Sequence, residues 1–211
     1  MTEEQPPTVV FFLEEPSAEA ALKALVPKIV PGVEFEFNTY TGKEELVKNL
    51  PARLRGYRAC LPFLAVKIVV LVDRDDDDCV QLKQKLDDIA AAAGLRTGSG
   101  GPARNAIVLN RIVVEELEAW FLGDVPAIGR AYPRVPASLG AQSKFRDPDA
   151  IRGGTWETFE RVLQKHGYHP GRLRKLAAAA DIAPHMDIEN NRSKSFQVFR
   201  DGLRRLVKEG N

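Results

Sequence analysis

Apolar and polar positions along this chain repeat with two periods, and the changes between them mark out strands and helices. Residues 66–72, VKIVVLV, are mostly β-branched and broken only by Lys67, the pattern of a strand buried on both faces of a parallel sheet. Residues 8–13, TVVFFL, form a similar run that stops at Glu14, Glu15 and Pro16. In residues 33–37, VEFEF, Val33, Phe35 and Phe37 alternate with Glu34 and Glu36, which predicts a strand at the sheet edge. A fourth strand is predicted over residues 106–114, AIVLNRIVV.

Between these runs the period lengthens to that of a helix. Ser17 can cap a helix over residues 18–30, where Leu22, Leu25, Val26 and Ile29 recur at helical spacing. Thr41 and Glu44 form a capping-box pair ahead of Leu46, Val47, Leu50 and Leu54, in a helix predicted to bend or restart at Pro51. Residues 80–93 put Leu82, Leu86 and Ile89 on one face and end at Gly94, after which TGSGGPAR reads as a flexible segment. Leu117, Trp120 and Phe121 are helically spaced directly after the fourth strand. Such alternation predicts an α/β fold: a mostly parallel, doubly wound four-stranded sheet flanked by helices.

From about residue 125 strands vanish and Pro and Gly become frequent. Helices are predicted near residues 155–166, 170–180 and 193–208, the last with an apolar stripe of Phe196, Phe199, Leu203, Leu206 and Val207. The expected organisation is an α/β core over residues 1–124 and a helical C-terminal appendage over residues 125–211, packed on that core.

Composition sharpens this only in places. The formal charge of the 211 residues is +1, but residues 150–211 carry +5 and residues 1–149 carry −4. An acidic domain followed by a basic tail suits a polyanionic substrate, and equally suits solvated helices. Cys60 and Cys79 have no zinc-type spacing, and the three His are scattered. The N-terminal MTEEQPP is polar, and no apolar run approaches the ~20 residues of a membrane span, so a cytoplasmic protein is expected. There is no GxxxxGK[ST] loop, since Gly42 and Lys43 lack the upstream Gly, so the chain is not expected to bind ATP itself.

The candidate chemistry lies just beyond the strand ends. Asp73 and Asp75 follow the third strand, and a two-residue spacing on extended chain sets Cα atoms about 6–7 Å apart with both carboxylates on one side. Glu14 follows the first strand, and Glu115, Glu116 and Glu118 follow the fourth. Open α/β sheets bind ligands outside the carboxyl ends of their strands, and converging carboxylates suit Mg2+ or Mn2+. Asp76, Asp77 and Asp78 read as a solvated helix N-terminus. Lys194, beside Arg192, is the candidate for neutralising phosphate charge, while Trp120 and Trp156 read as core. An EF-hand loop starting at Asp73 is excluded, because Asp78 and Gln84 stand where Gly and Glu are required.

At these residues the chain resembles the Toprim superfamily, marked by a Glu after the first strand and a DxD after the third. More narrowly, it resembles the Toprim-like domain-of-unknown-function family 4276 in Glu14, the run Asp73 to Asp78, the ELEAWFL segment Glu116 to Leu122, and the SxSFxxF element Ser193 to Phe199. Glu15 and Pro16 stand where a Toprim first motif carries Gly. The resemblance implies a Rossmannoid fold and a Mg2+- or Mn2+-dependent phosphodiester hydrolase acting on DNA or RNA. Asp73 and Asp75 are then metal ligands, Glu14 a ligand or proton carrier, and Glu118 a further ligand. It also implies a bacterial setting in anti-phage defence with an ATPase partner protein, and allows a homo-oligomer. The competing expectation is a Toprim-like module with little turnover that binds an ATPase or nucleic acid.

Overall fold

A computed structural model describes residues 7–98 and 105–208. Four parallel strands, β1 (Thr8–Leu13), β2 (Phe35–Thr39), β3 (Val66–Asp73) and β4 (Val108–Val113), form one sheet in the order β2-β1-β3-β4. The fold is therefore α/β with an all-parallel sheet flanked by helices, consistent with a Toprim or Rossmannoid architecture. β1 leads outward to β2, and β3 leads outward to β4 in the other direction. The strand order thus reverses between β1 and β3, which is where ligands bind in doubly wound sheets.

Alternation along the central strands divides the interior into two cores. Val9, Phe11, Leu13, Val69 and Leu71 face one side; Val10, Phe12, Ile68, Val70 and Val72 face the other. The second side is covered by α2 (Lys43–Cys60) and α3 (Cys79–Ala92), through Leu46, Leu50, Leu54, Leu82 and Leu86. The first side is covered by α1 (Pro16–Ile29) and by everything after β4: α4 (Glu118–Leu122), α5 (Val125–Ala131), α6 (Thr155–Lys165), α7 (Lys175–Ile182) and α8 (Lys194–Lys208). Phe196, Phe199, Leu203 and Leu206 are buried in that core, so the stripe on α8 docks as expected. Residues on both sides of position 124 share this single core.

The element ends differ from expectation for local reasons. α1 starts at Pro16 with Glu15 as its cap residue, because Pro fits the first helical position, and the Ser17 hydroxyl donates to Glu15. The box before α2 closes on Glu45 instead of Glu44: the Thr41 N–H (2.8 Å) and hydroxyl (2.7 Å) both donate to its carboxylate. α2 runs unbroken through Pro51. β2 begins at Phe35 instead of residue 33, since its register is set by pairing with Val9. The helix predicted over residues 170–180 is α7, while α5 and three 3-10 turns between Ala137 and Ala150 add to the predicted elements. The segment read as flexible lies mostly in residues 99–104, outside the described residues. Within β3, Lys67 is buried and its ammonium donates to the Ala106 carbonyl at 2.7 Å. Among the described residues no helix is long and apolar enough to cross a membrane.

Candidate functional site

Because β1 and β3 are neighbours, their carboxyl ends bring Glu14 and Asp73 together. The Asp73 N–H donates to Glu14 Oε2 at 3.1 Å. Beyond Asp73 the chain leaves the strand: Asp75 has φ 48°, a left-handed conformation. The spacing argument for Asp73 and Asp75 holds only for extended chain, so the two carboxylates meet different neighbours. Asp75 is exposed and pairs with the Lys43 ammonium at 2.8 Å, as does Asp77. Asp73 is buried and continues the alternation of Val69 and Leu71 toward α4 and α7. There it faces Glu15, Glu118 and Glu14, with Lys175 as the cation in that set.

Glu118, the first residue of α4, is 1 % exposed. One of its oxygens lies 3.8 Å from Lys175 Nζ, and the other, Oε2, has no hydrogen-bond partner. Glu116 also stands 3.8 Å from Lys175 Nζ and accepts the Trp156 N–H at 3.0 Å. Burial pushes the Glu118 carboxyl up to about 7 despite the pull of Lys175. Asp73 is raised well above the carboxylate range, by burial first and then by repulsion from Glu15, Glu118 and Glu14. Glu14 is raised by burial, against its Asp73 N–H bond and Lys43. Burial opposes the charge on Lys175, but Glu118, Glu15, Glu116 and Asp73 together raise its pKa. Four acids thus crowd one partly exposed ammonium, an arrangement relieved either by protonation, the direction in which Asp73 and Glu118 are shifted, or by added positive charge.

Among the other residues singled out in the sequence, Glu115 lies apart from Glu118. Glu115 precedes α4 with φ 60° and pairs with Arg74. Asp78 caps α3 by accepting from Val80 N (3.0 Å) and Gln81 N (2.8 Å), while Asp76 is exposed. Lys194 is exposed in the first turn of α8 and, among the described residues, forms no ion pair with the acids. Its neighbours Ser193 and Ser195 are buried, and both hydroxyls donate to Asp149 Oδ1, at 2.7 Å and 3.2 Å. Ser195 Oγ also accepts the Trp120 indole N–H at 3.0 Å, and Trp120 packs edge to face with Phe196 and tilted against Phe199. The two late motifs are therefore one buried joint between α4 and α8. Trp120 is core; Trp156 is half-buried, with Lys175 Nζ 5.7 Å from its ring.

Sequence reasoning missed Lys43 and Lys175. Lys43 stands out in the sequence only as part of an incomplete phosphate loop, and nothing local marks Lys175 as a neighbour of Asp73. On the other side of the sheet from Glu118, a cleft of about 950 Å3 opens between α2 and α3; Lys43, Lys48 and Lys85 line it together with Glu44 and the four acids Asp75 to Asp78. Among the described residues, no group of three or more His, Cys, Asp or Glu side chains is placed to hold a metal ion.

Fold and site define a doubly wound α/β protein whose acids gather at the switch point of a parallel sheet. The chain belongs to the family DUF4276, a domain of unknown function, whose model matches residues 13–204. No curated protein and no solved structure matched it.

Proposed function

We propose that the protein is a divalent-metal-dependent phosphodiester hydrolase acting on nucleic acid, DNA or RNA. The observation that carries this reading is the unpartnered Glu118 Oε2, buried near Asp73 at the carboxyl edge of the sheet. Its surroundings are oxygen donors with too little positive charge, the chemistry a hard divalent cation fits. Asp73 and Glu118 would hold Mg2+ or Mn2+, with Glu14 beside Asp73, while Asp75 would have to leave Lys43 to join them. When bound, such an ion polarises a phosphoryl oxygen and lowers the pKa of water. Glu14, oriented by the Asp73 N–H and raised by burial, is suited to accept and return a proton. Lys194 keeps only a remote role in this scheme. Service as effector to an ATPase in anti-phage defence rests on the family resemblance alone.

The test is calorimetric titration of Mn2+ into the wild type and into an Asp73→Asn, Asp75→Asn double variant, followed by cleavage assays on DNA and RNA. Saturable binding lost in the variant, together with metal-dependent cleavage, is expected. A second reading, a module that binds an ATPase or nucleic acid with little turnover, is favoured by the lysine pairing of Asp75 and Glu118. Equal Mn2+ binding in both proteins, or none in either, would favour it.

A further inference from the structure

We propose that Lys175 is a built-in stand-in for the divalent ion: its ammonium neutralises Glu116 and Glu118 while the centre is empty and swings out when a cation binds. The inference rests on the metal reading above and adds a device that the reading does not require.

Three features of Lys175 carry it. First, its contacts are loose. Nζ lies 3.8 Å from an oxygen of each of Glu116 and Glu118, beyond hydrogen-bond range, and the ring of Trp156 is 5.7 Å away. An ammonium placed as a permanent partner normally makes short, charge-assisted bonds. Lys43 does so with Asp75 and Asp77, each at 2.8 Å. Second, Glu118 Oε2 remains unpartnered although Glu118 is buried, so the ammonium satisfies the cluster incompletely. Third, Lys175 has a way out. It is the first residue of α7 and 31 % of its side chain is accessible, so its flexible stem can carry the charge to water without unwinding the helix. The backbone at this point is held separately, by the Arg174 N–H donating to His169 Nδ1 at 3.3 Å. An ammonium and a divalent ion in one carboxylate pocket repel each other, so binding of the ion favours the outward swing.

The test compares Mn2+ binding to the wild type, Lys175→Met and Lys175→Arg by calorimetry. A neighbouring charge changes the cation affinity of a carboxyl by about tenfold or more, so Lys175→Met should bind Mn2+ at least about tenfold more tightly. Lys175→Arg, which keeps the charge, should bind no more tightly than the wild type. A second readout uses the unaltered protein: acylation of Lys175, followed by mass spectrometry against Lys48 as internal reference, should speed up when Mg2+ is added. Wild-type binding with no gain in Lys175→Met would overturn the stand-in role and leave the metal reading intact. Should Lys175→Met fail to fold, unchanged acylation at a Mg2+ concentration that saturates the wild type would overturn it in the same way. Absence of Mn2+ binding in every variant would remove both.

Discussion

Replacing Glu118 by Gln should stabilise the protein, and by an amount that depends on pH. The folded-state carboxyl lies at about 7 against an ordinary 4.5, because it is buried with one oxygen unpartnered. A carboxyl raised on folding costs nothing at low pH, where both states are protonated. The penalty grows as pH rises from the unfolded pKa and is complete above the folded one. At about 1.4 kcal/mol per unit, the interval amounts to about 3 kcal/mol. Gln keeps the shape and removes the charge, and Lys175 retains Glu116 as a partner. In EDTA, thermal unfolding at pH 8 should therefore show a gain of about 3 kcal/mol, a melting shift of about 6–12 °C for a chain this long. The gain should shrink toward zero by pH 4. With Mn2+ present it should also shrink at pH 8, as the wild type alone recovers the stabilisation a bound ion provides. A variant equally stabilised at both pH values, or destabilised at pH 8, would refute the claim that an uncompensated charge at Glu118 burdens the fold.

Two further outcomes test the scaffold around the site. A Cβ at Gly123 would lie 2.2 Å from Asn191 Oδ1 and 2.8 Å from Ser193 N, so Gly123→Ala should cost about 1–3 kcal/mol in urea unfolding; full stability would show that the α4–α8 joint yields easily. Asp78→Ala removes both acceptor contacts at the start of α3 and should cost about 1 kcal/mol, with faster hydrogen exchange at Val80 and Gln81. Unchanged exchange there would mean that the cap is not what holds that turn.

How legible the molecule was depended on how local each determinant is. Period-2 and period-3.6 patterns depend on neighbours in sequence, so all four strands, α1 to α3 and the docking face of α8 could be read from the chain. The convergence of Glu14 and Asp73 could also be read, because alternating strands and helices dictate a parallel sheet and the sheet dictates the crevice. The separation of the Asp73 and Asp75 carboxylates could not. It turned on one backbone dihedral, φ 48° at Asp75, which the letters DRD do not encode. Lys175 was invisible for another reason. It reaches Glu118 only because α7 packs on α1 across the same core, a contact between distant parts of the chain.

The late motifs acquire a different meaning once that packing is known. Lys194, chosen for its charge, is exposed, whereas the serines on either side of it are buried and hold Asp149 and Trp120. Trp120 lies two residues after Glu118 on the same short helix, and its backbone carbonyl accepts the Asn191 side-chain amide at 2.8 Å. A five-residue helix has little stability of its own, so these buried bonds are what keep α4, and with it Glu118, at the end of β4. The segment from α6 to α8 thus acts on the site in two ways: it anchors one acid from behind through the Trp120 joint and supplies the Lys175 charge from the front. On this account the acid centre belongs to the whole chain. Its tolerance of mutation in α8 should follow the buried serines and aromatics of that helix, with the exposed lysine between the serines contributing little.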